Sequence, residues 1–368
     1  MKRIISLILA AMLLLCVFSC KKAEEPTPEP TPTATPEPTP EPTPEPTPEA
    51  EVSSTTGMPI DDDYVYNPIC VMIENSDAAR PQTALNQADI VYEALAESNI
   101  TRFICLFNDQ YPVVAGPVRS TRLYYINVAR EWDAALTHVG GPSDKSKPSY
   151  VYGPDTSDIK VRLDGMKGVN SAYFWRSTDR KAPHNCYTNV QKIKDEKVDY
   201  TPDERKIDWK FVTNAEEQKT LYSDAQSFTE VSMPFISKDG FISYKYNAEE
   251  NKLYRYMYGK EFLTYTWTEN ENGEKSSTTE QVCVQNLIIQ YANTYELSGD
   301  VKGRRGYDTL GSGDAEYFIN GKHLKGRWER QTKDDETVYY TEDGEQVKLL
   351  PGNTWVELHP TSKTATVK

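Results

Sequence analysis

The chain has only four histidines and six cysteines among its 368 residues. No C-x-x-C pair occurs, which leaves a thiolate zinc site or a dithiol redox site without its usual spacing. No G-x-S-x-G elbow presents a nucleophilic serine. No lysine- and arginine-rich run marks a nucleic-acid footprint, so no nucleic-acid partner is expected. The formal net charge of −14 points the same way. With the leader and tether described below set aside, 37 basic residues face 47 acidic ones, a balance of about −10. The longest apolar run, Ile4 to Phe18, is about 15 residues, short of the roughly 20 that a membrane-spanning helix needs.

That run follows Lys2 and Arg3 and ends at Ser19-Cys20, the pattern of an export signal. Val17-Phe18-Ser19-Cys20 resembles the lipobox of bacterial lipoproteins, which implies cleavage before Cys20 and acylation of its thiol. The expected location is the extracytoplasmic face of the membrane, with the lipid on Cys20 as anchor. Residues 21–57 are Pro/Thr/Glu repeats with nothing apolar to bury, and read as a disordered, polyproline-like tether. At roughly 3.1 Å per residue it could reach about 100 Å, enough for a domain working within or across a cell wall.

Four cysteines remain beyond the leader. Cys70, Cys105 and Cys283 each sit in an apolar strand-like run and read as small buried hydrophobes. A chain of this length exceeds one ordinary core, so two domains are expected, of mixed α/β or α+β class. Over 58–200, short apolar runs such as NPICVMIEN and ITRFICLF surround one helical pattern, roughly Ser120 to Ala134, and suggest layered sheet and helix. A charged linker or crossing segment follows at 201–224. Over 225–368 the chain reads as strands and hairpins, with turns at Asn320-Gly321 and Asp343-Gly344, and predicts a smaller antiparallel sandwich or partly open barrel.

Three polar clusters stand out in the first of these regions. In GPVRSTR (116–122), Ser120 or Thr121 is expected to open the helix. Arg119 and Arg122 would then sit at a helix N-terminus, where free N–H groups and guanidiniums favour a phosphate or carboxylate. In ADIVYEALAES, Asp89, Glu93 and Glu97 are spaced by four, which puts them on one side of either a helix or a strand. They could partner Arg102 and Arg119, or supply a carboxylate of raised pKa able to act as acid or base. In RSTDRKAPHNCYTN (176–189), Arg176, Arg180, Lys181, Asn185 and Tyr187 surround His184, whose backbone Pro183 constrains. His138, in LTHVGG before a glycine pair, could face that loop. A His138/His184/carboxylate metal site has no short-spaced ligand pair behind it, and neither metal nor cofactor is expected.

These motifs lie in an order that resembles the YerB-type lipoproteins of bacteria. The likeness runs from about Pro68 to the C-terminus through ENSDAARPQTAL, ADIVYEALAE, ITRF, GPVRSTR, HVGG and APHNCYTN. It continues in QNLIIQ, GSGDAEYFINGK, Trp328 and DGEQVKLLPGNTW. The resemblance implies an α/β domain joined to a smaller β-rich one behind a lipid anchor, and brings no activity with it. Cys186 stands in APHNCYTN where an apolar residue such as Leu is expected, which implies a packing role for that thiol.

The expected function is that of a membrane-tethered envelope protein. It would bind an anionic or glycan wall component, or a partner protein, in a polar cleft. The candidate lining is Arg119, Ser120, Arg122, Arg102, His184, Asn185, Tyr187, Asp89, Glu93, Glu97 and His138. The alternatives are a hydrolase or transferase on a phosphorylated or glycan substrate, with His184 as acid or base and Glu93 or Glu97 orienting it, and an envelope assembly factor whose motifs only lock the fold.

Overall fold

The strands Ile69–Glu74 and Ile90–Glu97 are buried along nearly their whole length, on both faces, and that double burial decides the architecture. The computed structural model describes residues 51–97, 99–141, 159–204, 207–235, 241–298, 300 and 303–368. Cys20, the signal segment and most of the tether lie outside the described residues.

Eleven strands form one sheet. Its order runs Gln226–Ser227, Lys322–Arg330, Gly311–Ile319, Asn286–Ala292, Thr354–Pro360, Ile90–Glu97, Ile100–Phe107, Ile69–Glu74, Ala135–His138, Arg162–Asp164, with Val338–Thr341 paired to Lys322–Arg330. The strand Thr354–Pro360 lies in the middle, parallel to Asn286–Ala292 on one side and to Ile90–Glu97 on the other. Strands from both ends of the chain therefore share a continuous ladder. A second sheet, Lys260–Glu261, Lys252–Met257, Phe241–Asn247, Glu230–Pro234 and Thr366–Val367 in order, packs against it.

The expected layered sheet-and-helix domain is corrected here: the protein is mostly β, with 26 strands and three α-helices among the described residues. The apolar runs do form strands, but a second sheet, rather than a layer of helices, covers one of their faces. On one face lies the helix Leu123–Glu131, shorter than the Ser120 to Ala134 expected from periodicity. Its Tyr124 and Tyr125 hydroxyls donate to the carbonyls of Leu95 and Ala94 at 2.6 and 3.2 Å, and Trp132 Nε1 donates to Tyr92 Oη at 2.9 Å. On the other face Glu93 meets Arg255 of the second sheet at 2.6 Å. Tyr92 and Glu93, adjacent on one strand, thus point to opposite layers, as a strand requires.

Arg255 is the centre of that inter-sheet layer. Its second ion pair is to Glu357 at 3.0 Å, and all three side chains are fully buried. The guanidinium carbon lies 4.8 to 5.7 Å from the ring centroids of Phe262, Trp355, Tyr244 and Phe103, a cation among aromatic faces. Burial alone would lower the Arg255 pKa, but Glu93, Tyr244 and Glu357 more than reverse this and raise it. Burial pushes Glu357 well above its ordinary value, and the charge of Glu93 adds to the effect.

The folded region begins earlier than composition suggests. Ser53, Thr55 and Thr56 are buried. Thr55 Oγ1 donates to Asp89 at 2.7 Å, Ser53 Oγ donates to Asp109 at 2.6 Å, and Thr56 Oγ1 also bonds Asp109. The last residues of the Pro/Thr/Glu-rich segment are thus pinned to two carboxylates. The hairpin turn at Asn320-Gly321 forms as expected, both residues at positive φ, the geometry that a two-residue hairpin loop demands. The thiols of Cys70, Cys105, Cys186 and Cys283 are free, the first three buried. Among the described residues no helix is long and apolar enough to cross a membrane.

Candidate functional site

The GPVRSTR segment does not open the helix at Ser120 or Thr121. Residues 118–121 run extended between neighbours: Arg119 N–H donates to Met72 O at 3.0 Å, Val139 N–H to Arg119 O at 3.0 Å, and Thr121 N–H to Gly140 O at 3.2 Å. The Ser120 hydroxyl donates to Val139 O at 2.9 Å. The helix starts at Leu123, and Arg122 precedes it without a side-chain cap. Ladder-like bonds on both sides outcompete early helix formation, so the expected helix-terminal anion cradle does not form.

The acidic trio separates as well. Asp89 precedes its strand and accepts from Thr55 and from the backbone N–H of Asn108 and Asp109, both at 3.0 Å. Its pKa is raised well above the ordinary range by burial, with Asp109 adding. Glu93 faces the second sheet. Glu97 lies beyond an irregularity in register between Leu95 and Glu97, which breaks the even strand step that would have kept the three together. Its carboxylate is gripped by Arg102 at 2.8 Å and by Arg122, while Arg102 also donates to Ser120 O at 2.7 Å. Arg102, Arg122 and Glu97 are therefore an internal ion cluster under the loop.

What gathers around Arg119 is different. Its Nε lies 3.2 Å from Glu74, a carboxylate that is 4% exposed at the end of the strand Ile69–Glu74. The same carboxylate holds His184 Nδ1 at 3.0 Å and accepts from the Ser76 hydroxyl at 2.9 Å. Glu74 thus orients His184 through one ring nitrogen and leaves Nε2 for other partners. Glu74 went unremarked in the sequence because it closes an apolar run, although Asn75-Ser76 after it marks a strand end.

On the Arg119 side of this junction opens a cleft of about 410 Å³, lined by Arg119, Arg176, Arg304, Asp164 and the Gly140-Gly141 backbone. Arg176 is fixed by donating to Asn185 Oδ1 at 2.8 Å. Asn185 in turn donates to Ser177 O and Arg180 O at 2.7 and 3.1 Å, which locks the loop. Arg304 pairs with Asp300 at 2.8 Å. Asp164 Oδ1 is occupied by the N–H groups of Gly140 and Met166 at 2.8 and 3.0 Å. Burial lowers the Arg119 pKa; Glu74 offsets part of this, while the like charges of Arg102 and Arg176 add to it. Among the described residues three guanidiniums and one committed carboxylate line this cleft, and Glu74 and Asp300 offset part of the charge of Arg119 and Arg304.

The remaining expected residues are structural. His138 is buried, with Nδ1 2.7 Å from Gly140 O, and burial lowers its pKa to about 4. Gly140 and Asp164 lie against His138 whereas Glu74 holds His184, and among the described residues no cluster suited to a metal occurs. Tyr187 stacks on Trp175 with ring centroids 6.3 Å apart and packs on Gly116, where a Cβ would approach its ring to 2.9 Å. Of the sequence candidates, Arg119 and Ser120 line the arginine cleft and His184 lines the cleft on the far side of Glu74. Asn185 positions Arg176. Arg304 was missed because its contribution depends on a remote pairing, an isolated bridge between Glu97 and Arg304.

Known proteins match this chain along most of its length. Residues 55–202 match the family described as "Protein of unknown function (DUF3048) N-terminal domain", and residues 231–356 match the corresponding C-terminal domain. A protein of Bacillus subtilis (strain 168) named "Putative lipoprotein YerB" is 31% identical over 307 residues, which cover 82% of this chain and 83% of that protein. The crystal structure of YerB from Bacillus subtilis superposes with a TM-score of 0.66 at 27% identity, covering 86% of this chain and 99% of the other.

Proposed function

The chain belongs to the DUF3048 family of YerB-type proteins, and from that premise we propose an envelope lipoprotein, anchored through Cys20, that binds an anionic envelope component in the arginine cleft. The observation that carries this reading is the convergence of Arg119, Arg176 and Arg304 on one open cleft, where the one carboxylate that lines it among the described residues, Asp164, is already bonded. Guanidiniums suit phosphate and carboxylate oxygens, which they can bind bidentately. Glu74 offsets only part of the effect of burial on Arg119, and a bound anion would add a second counter-charge. Phosphorylated wall polymers and lipid phosphates both carry the required chemistry.

Titration of the protein with inorganic pyrophosphate and with a phosphate-bearing wall polymer tests this. Arg176→Ala removes a charge-assisted bond of about 1.5–3 kcal/mol, so affinity should fall by roughly 10- to 100-fold, and binding should weaken as salt rises. Equal affinity of Arg176→Ala and wild type sinks the proposal.

One observation favours a second reading, a hydrolase or transferase. The Glu74–His184 contact is the arrangement that fixes an imidazole for proton transfer. The orienting carboxylate in that case is Glu74 rather than Glu93 or Glu97, and unchanged turnover of an envelope substrate in His184→Ala would remove it.

A further inference from the structure

Across Glu74 from the arginine cleft, His184 lines a second cleft of about 410 Å³ between the two sheets. Its polar wall is Asn75, Asp77, Arg80 and Thr101, together with the His184 ring. Its apolar wall is Ile100, Phe235, Ile242, Met257 and Tyr258. The volume falls within the roughly 300–1,000 Å³ of small-molecule sites. Unlike its neighbour, this cleft has a balanced lining among the described residues, where the one guanidinium, Arg80, is paired with the one carboxylate, Asp77. An ion gains little there, whereas a neutral ligand with many hydroxyls meets amide, hydroxyl, carboxylate, guanidinium and imidazole groups.

Tyr258 is the second, independent observation. It occupies the first position of a two-residue hairpin loop between Met257 and Lys260, at φ 54°, with Gly259 at φ 72°. That position favours Asn, Asp or Gly, and a bulky side chain is rarely held there. The tyrosine nevertheless stands at it with its side chain 53% exposed beside the cleft. A residue kept against local backbone preference, with an exposed ring at a cavity mouth, points to function rather than packing. Ile100, 42% exposed, continues the apolar edge.

We propose that this cleft binds a neutral sugar ring of a glycan. The C–H face of a pyranose would lie on Tyr258 and the apolar wall. Its hydroxyls would bond Asp77, Arg80, Asn99 and Nε2 of His184, whose orientation Glu74 fixes, while Asn75 and Thr101, bonded to each other and to Glu93, hold the wall behind them. This site goes beyond the anion reading, and it stands or falls separately.

The test is isothermal titration of the full chain with N,N′-diacetylchitobiose and cellobiose, with octanoate as an acyl-chain control and pyrophosphate reporting on the arginine cleft in parallel. A disaccharide should bind at millimolar concentration or better. Tyr258→Phe, which keeps the ring, should retain that binding, and Tyr258→Ala should weaken it by about tenfold, the scale of one lost aromatic contact. Tyr258→Asn is the most telling variant: it suits the turn better, so its thermal midpoint should rise while sugar affinity falls. Absence of binding by both disaccharides, equal binding by Tyr258→Asn and wild type, or preferential binding of octanoate overturns the proposal. Because pyrophosphate is read in the same protein, loss of either site's binding is visible without the other.

Discussion

Replacing Arg255 with methionine probes the layer between the sheets most directly. The wild-type side chain satisfies two fully buried carboxylates, Glu93 at 2.6 Å and Glu357 at 3.0 Å. Methionine fills much of the same volume among Phe103, Tyr244, Phe262 and Trp355 but supplies no charge. Removing one partner of a buried ion pair typically costs about 3–5 kcal/mol, because the charge left behind has neither water nor counter-ion. For a domain whose whole stability is about 5–15 kcal/mol, that is a large share. Urea denaturation at pH 7 should show the midpoint falling accordingly. The loss should shrink as pH drops below 7, since Glu357, which burial holds well above the ordinary glutamate range, takes up a proton and is discharged. The triple variant Arg255→Met, Glu93→Gln, Glu357→Gln has no charge to strand and should be more stable than the single one. A single variant that loses less than about 1 kcal/mol, or a triple variant no more stable than the single, would refute this account of the layer.

Two further outcomes follow from the same kind of accounting. His359 is fully buried between Phe235 and Tyr291, at 5.1 and 5.4 Å between ring centroids, and burial lowers its pKa from 6.5 to about 4. The unfolded chain takes up a proton there from pH 6.5 downward while the folded one does not. Stability from this group is therefore complete above pH 6.5 and lost as pH falls toward 4, by about 3 kcal/mol in all. His359→Phe should flatten the pH profile of unfolding by that amount, and a profile as steep as wild type would count against it. Thr55→Val removes the hydroxyl that donates to buried Asp89 and should cost about 1–3 kcal/mol in thermal unfolding. It should also expose the 51–57 segment to limited proteolysis, and unchanged cleavage there would contradict the pinning described above.

Local features were legible in the sequence where local physics decides them. The apolar run around Ile69–Glu74, the Asn320-Gly321 turn and the constrained His184 loop each follow from a few neighbouring residues. The layer architecture was not legible, because a strand buried on both faces has the same pattern whether helices or a second sheet cover it. The site divides along the same line. Arg119, Arg176 and His184 stood out as polar residues on loops. Glu74, which binds two of them, closes an apolar strand, and Arg304 arrives from a distant segment. The even spacing of Asp89, Glu93 and Glu97 misled because one irregularity between Leu95 and Glu97 reverses the side to which a side chain points.

The central position of Thr354–Pro360 sets the order of synthesis against the order in space. Strands Ile90–Glu97 and Asn286–Ala292 flank it on either side, so both are made before the segment that joins them. Until then the growing chain carries two half-sheets, each with an unpaired backbone edge where the ladder will close. Such edges are templates for wrong pairing, and closing them depends on a contact of very long sequence separation, which is slow to form. The sheet therefore cannot close before residues 354–360 have been made, and a chain cut short before residue 354 would lack the middle of its sheet rather than its rim.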